Sequence, residues 1–242
     1  MTSVLETRAV VAGYEPGLPI VRGASIRVAR GELVVVLGPN GAGKSTLIKA
    51  IAGLVPVESG AVLLEGRPIT GLPAHRMIGA GIGFVPQTDN VFQTMTVEEQ
   101  LRLVAAALPR SARRAALATS FTLFPDLVRY RASRNGSLSG GQRQMVAIAS
   151  ALLAEPKVLL LDEPSAGLSP KMIEAVLEKL RDIRGRGVAI IMVEQNVRAA
   201  LAVADRAYVM VEGVEQHEGT AAALMDDPVV AQLYLGRKVS AA

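Results

Sequence analysis

Residues Gly38 to Thr46 read GPNGAGKST, and this stretch decides the fold. It fits the pattern G-x-x-x-x-G-K-[ST], with Gly38, Gly43, Lys44 and Ser45 in the required places. The flanking residues agree with it. Glu32 to Leu37 is a short apolar run bounded by glycines, as expected of a buried strand. Leu47, Ile48, Ile51 and Leu54 then follow at helical spacing, with Gly53 where that helix should end. A strand, a turn through Gly38, Pro39, Asn40, Gly41, Ala42 and Gly43, and a helix start at Lys44, Ser45 and Thr46 aim backbone N–H groups and a helix dipole at one anion. The glycines keep Cβ atoms out of the way of that anion and of the backbone angles it requires. In this pattern Lys44 reaches the β- and γ-phosphates of a nucleotide, and the Ser45 hydroxyl ligates Mg²⁺.

The chain has 242 residues, 50% of them hydrophobic, enough for one large domain or two small ones. It contains no cysteine, which excludes a disulfide framework and thiolate metal ligation. His75 and His217 stand far apart without ligand spacing and read as surface residues. The opening MTSVLETRAV lacks the layout of a signal peptide, and no apolar stretch is long enough to span a bilayer, so the expectation is a cytoplasmic chain. A net charge of +4 permits contact with phosphates or anionic lipid without requiring either.

Before the loop, Thr7 to Val11 and Ala24 to Val28 are short strand candidates, split by the turn-rich segment Gly13 to Gly17. Tyr14 in that turn either stacks on the adenine of a nucleotide or packs as an ordinary turn tyrosine. Ala61 to Leu64 suggests a further strand, and another ends at Val85-Pro86-Gln87. Gln87 at its tip is either a polar ligand to water or Mg²⁺ or a plain loop residue. From about Val97 to Ala154 helical patterns dominate (Val97, Leu101, Val104; Ala115 to Leu123) and arginines gather, reading as a solvated face or a partner or lipid contact.

Ser139-Gly140-Gly141-Gln142 carries a capping box, opening a helix with Met145, Val146, Ala149 and Leu152. A helix start with two glycines is a second place to hold phosphate, and one nucleotide rarely needs two such sites in one chain. This points to the nucleotide of another subunit. Val158 to Leu161 is an apolar strand ending in Asp162-Glu163, where Asp162 fits an acidic holder of the Mg²⁺ shell and Glu163 a base for the attacking water. A helix from Lys171 to Arg184 buries Ile173, Val176, Leu177, Leu180 and Ile183. Val188 to Val193 is a strand ending in Glu194-Gln195-Asn196. A helix from Val197 to Ala204, a strand from Ala207 to Val211 and one or two small helices between Thr220 and Gly236 complete the chain, in the strand–helix alternation of a parallel sheet.

Tyr14, GPNGAGKST, Gln87, LSGGQ and VLLLDE, taken in order over nearly the whole chain, resemble the ATP-binding cassette (ABC) ATPases. The resemblance implies an α/β fold, a P-loop NTPase (RecA-like) core with a parallel sheet, an N-terminal antiparallel β subdomain and a helical subdomain. On it, residues 1–242 form a single domain, with 1–87 and 157–242 as the nucleotide-binding core and 88–156 as the helical part. It also implies a head-to-tail dimer that sandwiches two ATP molecules, each held by the loop, Asp162 and Glu163 of one chain and Ser139, Gly140, Gly141 and Gln142 of the other. Two positions depart from the family pattern. Gln195 stands where a histidine usually contacts the γ-phosphate, and Ser169 where an aspartate is usual.

VEQN, the xGLxP loop and a terminal YLG narrow the resemblance to the shorter ATPase of importers for branched-chain or related amino acids. That class implies membrane permease subunits, a second ATPase (or a second copy), a substrate-binding protein reached indirectly, and a place on the cytoplasmic face of the membrane. No nucleic acid partner is expected, because the interval between Gln87 and LSGGQ is too short for the long coiled coil of chromosome- or repair-type relatives. Translation-type relatives carry two cassettes, and this chain has one. A weakly hydrolysing regulatory subunit stays open through Gln195 and Ser169, and another small solute, such as urea, stays open as cargo.

Overall fold

The computed structural model describes residues 3–226. Its elements run β1 (Ser3–Ala12), β2 (Val21–Ala24), β3 (Arg27–Ala29), β4 (Leu33–Leu37), α1 (Lys44–Ile51), β5 (Val57–Leu64), β6 (Arg67–Pro68), α2 (Ala74–Ala80) and β7 (Ile82–Val85). They continue α3 (Val97–Ala105), α4 (Arg110–Leu123), α5 (Gly140–Leu152), β8 (Val158–Asp162), α6 (Pro170–Gly185), β9 (Ala189–Val193), α7 (Val197–Leu201), β10 (Arg206–Val211), β11 (Val214–Thr220) and α8 (Ala221–Asp226).

The strands form two sheets. One has the order β11-β10-β4-β9-β8-β7 and is parallel except for β11, which pairs antiparallel with β10. The other is antiparallel, in the order β2-β1-β5-β6 with β3 also on β1. In the first sheet every residue of β4, β8 and β9 is buried, because layers cover both faces, and this explains the unbroken apolar runs. The period of two divides them. Leu33, Val35, Leu37, Leu159, Leu161, Ile190 and Met192 face a core shared with α5 and α6, while Val34, Val36, Val158, Leu160, Ile191 and Val193 face α1 and the antiparallel sheet. The loop that carries Lys44 therefore leaves a strand packed on both faces.

Local chemistry sets the helix ends. Gly53 adopts φ +72 just past α1, where the sequence puts that helix's end. The expected capping box at Ser139 is formed, the serine accepting from the Gln142 N–H and the Gln142 side chain accepting from the Ser139 N–H. Thr96 and Glu99 make a second one at α3.

Several expectations need correction. Ala24 to Val28 is not one strand. The Thr7 hydroxyl donates to the Ala24 carbonyl and accepts from the Ile26 N–H, which takes those groups out of the ladder and divides β2 from β3. β5 begins at Val57, four residues earlier than read, through the exposed polar residues Glu58 and Ser59 and a bulge at Gly60. β11 was not expected at all: VEQHEGT is a polar edge strand without an apolar face. α7 ends at Leu201 rather than Ala204, and Ile173 on α6 is only half-buried. α2 is likewise additional. His75 and His217 are exposed, as read. The helix expected between Thr220 and Gly236 is present as α8, and the remainder of that stretch, with the terminal YLG, lies outside the described residues. Among the described residues no helix is long and apolar enough to cross a membrane.

Candidate nucleotide site

Four parallel strands, β4, β9, β8 and β7, end side by side, and the polar residues of interest leave the sheet from their carboxyl ends. Such an edge is where open α/β sheets bind ligands. The loop Gly38–Gly43 follows β4, Gln87 follows β7, Asp162 closes β8 with Glu163 next to it, and Gln195 follows β9.

The loop's glycines are required by their surroundings. Gly38 has φ +153, and a Cβ on it would lie 2.3 Å from the Met210 carbonyl oxygen. Gly43 has φ +93, and a Cβ there would stand 3.2 Å from the Ile20 carbonyl oxygen. The second contact shows that the segment after Tyr14 packs against the loop. Tyr14 itself is 55% exposed in that turn.

Lys44, buried at the start of α1, donates from Nζ to the carbonyls of Gly38 (2.8 Å) and Pro39 (3.0 Å). An ammonium has three donors, so one is left to point elsewhere. Burial pushes the Lys44 ammonium below the usual lysine range, and the nearby Glu163 and Asp162 carboxylates oppose that shift. Thr46 and Ala42 are buried in the loop wall. Ser45 Oγ donates to Asp162 Oδ1 at 2.7 Å, and Lys49 Nζ lies 3.9 Å from Asp162 Oδ2.

Glu163 is the convergence point. Its Oε2 accepts from Gln87 Nε2 at 2.7 Å, and Gln195 Nε2 lies 2.8 Å from Oε1 and 2.9 Å from Oε2. A carboxylate has about four acceptor sites, so these two donors, one of them shared between both oxygens, hold it while leaving room for another, such as a water. Glu163 also sits at φ +48, a left-handed backbone unusual for a glutamate. Gln87 thus acts on this carboxylate through its amide nitrogen, which leaves its carbonyl oxygen for other contacts.

Ser139, Gly140, Gly141 and Gln142 are not part of this cluster. A Cβ on Gly140 would meet Leu168 at 3.4 Å, and one on Gly141 would meet Met172, so the motif lies against the loop after Glu163 and the start of α6. Among the described residues no hydrogen bond joins it to the loop at Gly38–Thr46. Ser169 is the N-cap residue of α6, but its side chain makes no capping bond.

The reading of the sequence missed two participants. Lys49 is one turn along α1 from Ser45. Glu194 is buried at the end of β9 and accepts from Ser165 N (2.8 Å), Ser165 Oγ (2.8 Å) and Gln195 N (3.2 Å). Burial pushes its carboxyl upward, and the Ser165, Asn196 and Gln195 hydrogen bonds oppose this. The signal was an acidic residue closing an apolar strand, as Asp162 does after VLLL.

The arrangement can grip an anion at the loop, hold a hard cation between a hydroxyl and a carboxylate, and orient a carboxylate toward a water. The family model described as ABC transporter matches residues 21–166. A probable branched-chain amino acid transport ATP-binding protein, LivF, from Archaeoglobus fulgidus is 40% identical over 96% of this chain and 99% of its own length. The lipopolysaccharide export system ATP-binding protein LptB of Acidithiobacillus ferridurans is 36% identical over 98% of each chain. Among solved structures, the ADP conformation of MJ1267, an ATP-binding cassette of an ABC transporter, superposes with a TM-score of 0.85 at 28% identity, covering 98% of this chain and 100% of that one.

Proposed function

The chain belongs to the ABC transporter family and is an ATP-binding ATPase of it, and on that premise we propose that it powers import of branched-chain or related amino acids. The observation that carries the hydrolytic part is the Glu163 carboxylate held by Gln87 and Gln195 beside the phosphate loop. In this reading the loop N–H groups, the dipole of α1 and Lys44 hold the phosphates, and Tyr14 stacks on the base. Glu163 takes the proton of the attacking water, and Gln195 keeps the carboxylate aimed. Ser45 and Asp162 are hard oxygen donors in contact, which fits Mg²⁺, and the Gln87 carbonyl is a further candidate ligand. When bound, the ion neutralises charge on the phosphate oxygens.

Ser139 to Gln142 serve a nucleotide held by the loop of a second cassette, either another copy or a different ATPase. Residues 88–156 act as the helical subdomain. Between α2, β7 and α3 lies a groove of ≈ 340 Å³ lined by Leu54, Met77, Ile78, Phe84, Phe92 and Val104. Leu54, Ile78 and Phe92 are exposed there. An apolar helix of a permease fits this groove, which adjoins the Gln87 loop, so closure around ATP moves both. That contact would hold the chain at the cytoplasmic face of the membrane.

The amino acid assignment rests on the LivF relative and on the VEQN, xGLxP and YLG stretches. The LptB likeness favours a second reading, a cassette for another transport system, with export as its direction. Affinity purification of the tagged chain from native membranes separates them. Two permeases and a second ATPase, with a binding protein for amino acids, support import. Membrane partners of an export system, or soluble partners only, overturn it.

A further inference from the structure

We propose that Glu194 is a positioning residue for ATP hydrolysis, which ties Gln195 and the loop after Glu163 into one geometry. The inference rests on Glu163 and Gln195 being the hydrolytic pair. Glu194 is 3% exposed, yet among the described residues no lysine or arginine forms an ion pair with it. A buried carboxylate without a cation is costly unless donors surround it. Here donors surround it: the Ser165 N–H gives to Oε1, the Ser165 hydroxyl and the Gln195 N–H give to Oε2, and the Asn196 N–H also favours the carboxylate.

These bonds close a ring. Gln195 Nε2 reaches the Glu163 carboxylate, the Gln195 N–H reaches Glu194, Glu194 reaches Ser165, and Ser165 returns to Glu163 through two peptide units. The ring joins the ends of β8 and β9, which are adjacent strands. It also encloses the left-handed backbone at Glu163, whose N–H donates to the Val193 carbonyl at 2.9 Å. A backbone in that region persists only where its surroundings over-determine it, and the Glu194 bonds supply that constraint from the β9 side. An apolar residue at 194 would fill the space but leave the Ser165 and Gln195 N–H groups without acceptors. Glu194 touches neither the phosphate loop nor Asp162 by any hydrogen bond found among the described residues, so its effect falls on turnover rather than on nucleotide binding.

Glu194→Gln is the discriminating variant. It is isosteric, but its one amide oxygen cannot take the places of both carboxylate oxygens: in the Oε2 place it leaves the NH₂ against the Ser165 N–H, and in the Oε1 place it leaves the NH₂ against the Gln195 N–H. A displacement of the order of an ångström at a reacting group costs on the order of 100-fold. The expected result in the full chain is a kcat for ATP lowered about 10- to 100-fold with KM changed less than about threefold. In a Gln195→Ala background the same change should cost less than about threefold, because both act through one carboxylate. Ser165→Ala, which keeps the N–H bond, should give a smaller loss of the same kind and stands in if Glu194→Gln does not fold. A silent Glu194→Gln, or an undiminished factor in the Gln195→Ala background, overturns the proposal alone. A silent Gln195→Ala sinks the hydrolytic pair and the proposal with it.

Discussion

Replacing Gln195 by alanine removes, among the described residues, the one side chain that hydrogen-bonds both oxygens of Glu163. In the intact chain its Nε2 stands 2.8 Å from Oε1 and 2.9 Å from Oε2, and Gln87 supplies the remaining bond at 2.7 Å. Both contacts come from one nitrogen, so they count as a single shared hydrogen bond to a charged group, about 2 kcal/mol. Glu163 is only 8% exposed, so water replaces that donor poorly and the carboxylate swings toward Gln87. If the whole term acts on the orientation of the base, turnover falls about 30-fold. Gln195 makes no hydrogen bond to the phosphate loop among the described residues, so affinity for ATP should stay within about twofold. Gln195→His, which can offer one ring N–H, should recover part of the loss. Steady-state phosphate release and equilibrium titration with a fluorescent ATP analogue measure the two quantities. Unchanged turnover, or a loss confined to affinity, refutes the reasoning.

Lys44→Ala should abolish productive ATP binding in the same titration while the melting temperature stays close to that of the parent, since among the described residues Lys44 bonds two loop carbonyls and no other group. Gly38→Ala places a Cβ 2.3 Å from the Met210 carbonyl oxygen, so the loop or β10 must shift, and both nucleotide affinity and thermal stability should fall. Leu160→Ala, at a completely buried position of the central sheet, should lower unfolding free energy by about 2–5 kcal/mol in urea titration. A cost under about 1 kcal/mol there contradicts the two-sided core.

The elements legible in the sequence are those whose cause is local. β4, β8 and β9 are apolar throughout because both faces are covered, and Gly38, Gly43 and the Ser139–Gln142 box write their backbone needs in residue types. β11 escaped because an edge strand with one wet face needs no apolar pattern, and its pairing with β10 is a tertiary fact. The break between β2 and β3 depends on Thr7, nearly twenty residues away, and no local signal marks it. The site divides the same way. Lys44, Ser45 and Asp162 announce their chemistry through motif and strand end. That Gln87 and Gln195 both reach Glu163 follows from the strand order β9-β8-β7, which seventy-odd residues between Gln87 and Glu163 conceal. Glu194 carries the same strand-end signal as Asp162, but the more conspicuous Gln195 beside it draws the reading away.

Hydrolysis turns on Glu163 as the group that takes the proton of the attacking water. ATP turnover by Glu163→Gln, measured with nucleotide affinity on the same preparation, tests it. Affinity retained within about threefold with turnover reduced by about 100-fold or more is the predicted result. Turnover equal to that of the parent chain would contradict it, whatever partners the chain proves to have.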